Sequence, residues 1–435
     1  METSPATGEN RFGQWTLTFL VVANMIGAGL FTTSGFSLAE LGSAHRVLLA
    51  WFVGGLLALC GAYSYGQLSR HMPESGGEYL FLSRAVHPLA GYVAGWISLI
   101  AGFTGAIAFA ASALEGYLLS PETRPDWLPV DAIAIFAVVL AGLAHSLAPR
   151  FGARLQNLSV MLKLCCLAGL FVLGVLAWSR VTPAPIAANS TAGQGGASWS
   201  AFVASLVWIS LSYSGFNAAV YIAGESQSPT SSVPQALLWG TLGVTVVYLL
   251  VNGLFVFACP GDLIRGREDV AAVTADYLAG TTGRRWTQFV VCLALWTSIM
   301  SMLMAAPRVY AKMADDGIFP STLRTHPNRP LATTAAQVAL SILFIRISRL
   351  ENLLGYLGLT LSLSAAATAS CLFLPRFQQT AWQKSITAVY VFATVGLGLF
   401  FAWSRPQQFA GAAATFAFGA GMYFVTKQAQ KKSPL

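Results

Sequence analysis

The sequence predicts an all-α polytopic membrane protein of about twelve transmembrane helices, built as a five-plus-five inverted repeat with helices 1 and 6 discontinuous. Three observations carry that expectation. Of the 435 residues, 55% are hydrophobic and only 10% are charged, well below the quarter charged of an ordinary soluble domain. The apolar residues fall into segments of about 20, the length needed to cross a bilayer as a helix. The first and sixth of those segments are both interrupted by glycine and polar residues.

Taken in order, residues 1–13 are a polar tail. It lacks a basic region followed by a short apolar core and cleavage site, so no removable signal peptide is expected. The first span covers 14–40 and carries Asn24-Met-Ile-Gly-Ala-Gly-Leu-Phe-Thr-Thr-Ser-Gly35 at its middle. Each glycine costs a helix roughly 1 kcal/mol relative to alanine, and an unwound backbone in hydrocarbon leaves polar groups unsatisfied. Two readings fit this stretch. It packs closely on a neighbouring helix through its small residues, or it unwinds beside a cavity. In the second case free N–H groups at a half-helix start suit a carboxylate and freed carbonyls suit an ammonium group or a cation.

The following spans are read at 46–70, 88–118, 128–148 and 153–178. The sixth, 199–225, contains Ser210, Ser212, Tyr213, Ser214, Gly215 and Asn217 in Ser-Leu-Ser-Tyr-Ser-Gly-Phe-Asn, a second break. Then come 234–258, 284–313, 333–350, 351–375, 385–404 and 406–427, with a tail at 428–435. Units 14–178 and 199–375 are of similar length, and each opens on an interrupted helix. An odd number of spans per unit inserts the two in opposite orientations, and paired interruptions point to a midplane binding site of a transporter.

The formal net charge of +8 sits in loops and at span ends, where membrane topology explains it better than nucleic acid does. The bias of Arg and Lys puts both termini in the cytoplasm of a cell membrane. The loop at 180–198, with the sequon Asn189-Ser190-Thr191, and the charged region 259–285 then lie outside. A helical piece near 270–278 is placed to act as a lid. The six cysteines fall in or beside apolar spans without CxxC spacing, and none is evidently placed to link an accessory subunit. The five histidines lie in loops or at span ends. No metal, cofactor or catalytic constellation is read from the sequence, so an enzyme is not expected.

Among charged residues within spans, Lys163 is the most unusual. It either snorkels to the nearer surface or is held by carbonyls of the broken first helix and by hydroxyls of the eighth span, with Ser298 and Ser301 as candidates. An ammonium there would stand in the place of a coupling sodium ion or carry a proton. Glu115 is read as interfacial, with a role in coupling as the alternative. Glu40 and Glu225 close the two broken helices and suggest gate or loop contacts before substrate binding. Gly102, Thr104 and Gly105 on the third span, with Tyr356 and Gly358 on the tenth, are candidates for side-chain selectivity.

Four stretches in order carry a resemblance: IGAGLF in the first span, GAYSYGQLSRHMPESGGEYLFL across the second and third, YSGFN with AGE in the sixth, and RVYAKMADDGIFP after the eighth. With them the chain resembles the amino acid, polyamine and organocation (APC) permeases, nearest the L-type amino acid transporter branch and its bacterial relatives. The resemblance implies that a substrate carboxylate rests on N–H groups of Gly27, Ala28 and Gly29. It implies that the ammonium meets carbonyls near Asn24 to Ile26 and near Leu211, Tyr213 and Ser214. Lys163 matches the lysine of sodium-independent members, implying proton-coupled symport or exchange, and Asn217 matches an asparagine of the L-type branch. Leu211 departs from the pattern, standing where many relatives have a bulky aromatic gate. The alternatives are an amine or polyamine carrier, which would want more acidic lining, and a receptor or scaffold that binds without flux.

Overall fold

The computed structural model describes residues 12–119, 124–147, 149–178, 198–324, 331–347, 350–404 and 406–432. The sequon Asn189-Ser190-Thr191, most of its loop, the tail 1–11 and Arg349 lie outside the described residues.

Span 1 is two helices, Gln14–Met25 and Gly29–Leu41, bent by 43° across a short gap. Span 2 is Ala44–His71 and span 3 runs Pro88–Leu118. Between them lies a short helix, Gly77–Ala85. Span 3 starts crisply because Pro88 opens it and the His87 side chain accepts the Leu89 N–H at 3.1 Å. Its middle, Ser98–Gly105, is wound as a π-helix. Spans 4 and 5 are Ala132–Leu147 and Pro149–Trp178.

Span 6 is a helix, Trp199–Ser212, then an open turn and a 3-10 segment, Ala218–Glu225. Span 7 is Pro229–Ala258. Span 8 belongs to Val270–Asp315, which kinks at Gly280 (φ +62°), so the expected outer helical piece is its first part. Spans 9 to 12 are Leu331–Ile347, Leu350–Ser370, Ala381–Ser404 and Pro406–Lys432.

Eight of these helices are long and apolar enough to cross a membrane singly, and the bent pair of span 1 makes a ninth. Three shorter apolar helices, spans 4, 9 and the first part of span 6, bring the described set to about twelve. Burial sorts them. The most apolar stretch of span 8 is 83% buried and that of span 12 is 17% buried, so span 8 is central and span 12 is peripheral.

Span 7 packs on span 2 and on the first helix of span 1, and span 8 packs on span 5. This arrangement brings the two broken spans face to face. On the side of the termini, Phe12 donates its N–H to Glu225 O (2.7 Å) and accepts the Gln227 N–H (3.1 Å), which clips the chain start to the end of span 6. On the other side, the Gly266 N–H reaches Gly35 O at 2.9 Å.

Candidate functional site

The first break begins where Ile26 leaves helical geometry (ψ 93°), and helix resumes at Gly29. Among the described residues, the N–H groups of Gly27, Ala28 and Gly29 have no hydrogen-bond acceptor. They stand at the start of the Gly29–Leu41 helix, the positive end of its dipole. Gly29 admits no side chain, because a Cβ there would lie 2.8 Å from Ser212 Cβ and 3.0 Å from its Cα. That close approach is what puts the two breaks against each other.

At the second break the helix ends at Ser212 and the chain turns at Gly215 with φ +98°, a geometry open to glycine without strain. A Cβ on Gly215 would lie 3.0 Å from Asn24 O. Ser212 Oγ and Thr33 Oγ1 share a hydrogen bond at 2.8 Å. The Tyr248 hydroxyl of span 7 sits 2.6 Å from Met25 O and 2.9 Å from Ser212 O. One phenolic hydrogen therefore serves a carbonyl from each break.

Lys163 is fully buried, with Nζ donating to Thr297 Oγ1 at 2.7 Å and to Ile26 O at 3.3 Å. Snorkelling is thereby overturned: a lysine so deep is tolerated because it pairs inside the bundle. The hydroxyl it reaches is Thr297, a correction to the expectation of Ser298 or Ser301. Those two act on the first break directly. Ser298 Oγ lies 3.1 Å from Ala23 O and 3.4 Å from Ile26 O, and Ser301 Oγ donates to Asn24 Oδ1 at 3.2 Å. Thr297, Ser298 and Ser301 of one helix thus brace the first gap, Thr297 by way of Lys163.

Other candidates fall elsewhere. Tyr213 is buried between Trp51 and Tyr248, its hydroxyl on Trp51 O at 3.1 Å, and serves as a strut between spans 6 and 2. Asn217 turns its amide to Glu78 Oε1 (3.1 Å) and to the Tyr221 hydroxyl (3.2 Å). Leu211 packs against Gly358, so the departure from an aromatic gate meets its counterpart on span 10. Gly102 and Gly105 face Leu361 and Leu357 of that same span. Thr104 accepts from Gln337 Nε2 (3.1 Å), and Tyr356 pairs with Thr415 of span 12 at 2.8 Å.

Glu115 is buried near the end of span 3. It accepts from Arg124 (2.5 Å), Asp131 N (2.8 Å) and Ala134 N (2.9 Å), fastening span 3 to the start of span 4. Glu225 is paired with Arg308 at 2.8 and 3.0 Å. Among the described residues, no group of His, Cys, Asp or Glu is placed to hold a metal ion.

Sequence reasoning missed Thr297, Tyr248 and Glu78. Thr297 stands one residue from Ser298, about 100° around the helix, and only the packed neighbours show which faces Lys163. Tyr248 carried a faint signal as a phenol followed by Asn252 at i+4, on the same helix face of an apolar span.

A family model described as "Amino acid permease" matches residues 12–426. The serine/threonine exchanger SteT of Bacillus subtilis is 24% identical over 340 residues, covering 77% of this chain and 76% of that protein. The human large neutral amino acids transporter small subunit 2 is 24% identical over 424 residues, covering 93% and 78%. The mouse b(0,+)-type amino acid transporter 1 is 28% identical over 263 residues, covering 59% and 53%. With two broken spans joined at their gaps and a family match along nearly its whole length, the chain belongs to the amino acid permease family, as a multi-pass membrane protein of amino acid transport.

Proposed function

We propose that this chain is a sodium-independent amino acid permease working by alternating access, by exchange or by proton symport, in a cell membrane with both termini cytoplasmic. Its units 14–178 and 199–375 are the two halves of an inverted repeat, with the paired breaks at matching positions. The observation that carries the reading is the set of N–H groups at Gly27, Ala28 and Gly29, without acceptors and backed by a helix dipole. They are donors aimed where a carboxylate belongs.

The substrate's ammonium needs carbonyl oxygens. Met25 O and Ile26 O are engaged by Tyr248, Lys163 and Ser298. The carbonyls of Tyr213 and Ser214 have no donor among the described residues and are the better partners. Lys163 Nζ meets one carbonyl and one hydroxyl beside the first break, the kind of oxygens that would ligate sodium. That supports a fixed cation in place of a transported one. The relatives named as a serine/threonine exchanger and as transporters of large neutral amino acids support exchange of neutral amino acids over carriage of amines.

The test is uptake of labelled amino acids into proteoliposomes, with and without sodium, a pH gradient and internal substrate. The reading expects uptake indifferent to sodium and stimulated by internal substrate or by an acidic outside. A strict sodium requirement, or binding without flux, would overturn it.

A further inference from the structure

A second buried charge lies outside the site just described. Glu78, on the short helix Gly77–Ala85 between spans 2 and 3, is 2% exposed. Its Oε1 accepts from the Tyr65 hydroxyl of span 2 (2.7 Å) and from Asn217 Nδ2 (3.1 Å), and its Oε2 accepts from Ser364 Oγ of span 10 (2.5 Å). One carboxyl group therefore ties four elements together, and one of them is the turn that follows Gly215. The approach is close: a side chain on Gly77 would run into the Tyr221 ring.

Among the described residues no cation pairs with this carboxylate. On its own helix, Arg84 turns to Glu74 (3.7 Å). From span 8, Lys312 pairs with Glu74 (2.9 Å) and Asp316 (3.3 Å), and Arg308 pairs with Glu225 of span 6. Tyr79 gives its hydroxyl to Asp316. What faces Glu78 is phenolic: Tyr65 of span 2, Tyr221 of span 6 and Tyr390 of span 11. Other titratable groups on the elements packed against this helix include the Tyr92 phenol, bonded to Thr426, the Tyr310 phenol, bonded to Gln337, the Tyr356 phenol, bonded to Thr415, and the Cys371 thiol after span 10, while Asp276, Tyr277, Arg284, Arg285 and Cys292 lie along Val270–Asp315.

A carboxylate stripped of water and of any cation costs several kcal/mol, and such a group neutralises by holding its proton. Burial pushes the Glu78 carboxyl up from its ordinary value, opposed by the hydrogen bonds from Ser364, Tyr65 and Asn217. Deprotonation would leave an uncompensated charge inside the closed cluster. Parting of span 6 from the Gly77–Ala85 helix would bring water to it.

We propose that Glu78 is a proton-binding positioning residue: as a neutral acid it holds Asn217, and with it the second break, in the closed arrangement, and it releases its proton when the gate opens toward the side of the termini. Acid then favours closure on that side and alkali favours opening.

The proposal rests on the transport reading for its kinetic arm alone. Difference infrared spectroscopy of the purified protein over a pH titration is independent of transport. The wild type should show the carbonyl band of a protonated carboxylic acid persisting at neutral pH, and Glu78→Gln should lack it. In proteoliposomes, exchange by the wild type should change through one titration step, and Glu78→Gln should flatten that step at the level of the acid form. Ser364→Ala removes a donor to the charged form and should move the step to higher pH by about one unit, which keeps the test alive if Glu78→Gln fails to fold.

A band identical in wild type and Glu78→Gln would overturn the proposal, as would an unshifted profile in both variants. Wild-type protein without exchange would sink the transport reading and leave the infrared result to decide the proton.

Discussion

The two breaks are alike in position and unlike in how they are held. The first is closed by almost nothing of its own. Its carbonyls at Ala23, Met25 and Ile26 are gripped from spans 5, 7 and 8 by Lys163, Tyr248 and Ser298, while its N–H groups stay open. The second turns on itself, with Ser214 N bonded to Leu211 O and Ala218 N to Gly215 O, both at 3.1 Å, and is steadied through the side chain of Asn217. A gap whose carbonyls are tied to three remote helices can keep its donors fixed for an anion. A gap that closes by local turns can reshape as the half-helix beyond it moves. In the proposed transport cycle the first break is the anchor and the second the moving part.

Substitutions test that division, beginning with the largest expected effect. Lys163→Ala should abolish or uncouple transport while the protein still folds, because Ile26 O and Thr297 lose the ammonium that holds the first gap. Flux and coupling at wild-type level, measured by uptake with and without a pH gradient, would assign Lys163 a passive role. Gly29→Ala puts a methyl group into Ser212 and should cost about 1–3 kcal/mol of local fit. Exchange should fall roughly 10- to 100-fold, with the loss larger than for alanine at Gly102, which has room at 3.5 Å from Leu361.

Tyr248→Phe removes the single hydrogen shared between Met25 O and Ser212 O. A neutral hydrogen bond of about 1 kcal/mol predicts a several-fold drop in exchange rate, readable by labelled counterflow. A drop as deep as that of Lys163→Ala would mean that the phenol, not the ammonium, is the main anchor. Tyr356→Phe should change transport less than about twofold, because its hydroxyl points to Thr415 on the peripheral span 12 and an isolated bond of that kind is worth little.

Much of this was legible in the chain. Glycines at 27 and 29 and the serine-rich run before Gly215 announced both interruptions, and spans 2 and 3 were located to within two residues of Ala44–His71 and Pro88–Leu118. What stayed hidden was partnership. Lys163 read as unusual, yet its partner was assigned to Ser298 or Ser301, whose own bonds run to the Asn24 side chain and the Ala23 and Ile26 carbonyls. Tyr213 read as supplying a carbonyl and Asn217 as matching the L-type branch, and the sequence did not show that their side chains reach Trp51 and Glu78. Glu78 sat in a quoted motif without drawing notice, since a glutamate at the start of a short helix looks like ordinary interfacial charge.

By itself the sequence determined where the chain crosses the membrane and where it must unwind, because hydropathy and glycine content act locally on helix stability. The tertiary structure alone decided which hydroxyl meets the buried ammonium, which phenol bridges the two gaps, and that a buried carboxyl group, paired with no cation among the described residues, lies behind the second. Most of those pairings join residues more than a hundred positions apart, and a side chain's direction around a buried helix is fixed only by the neighbours it packs against.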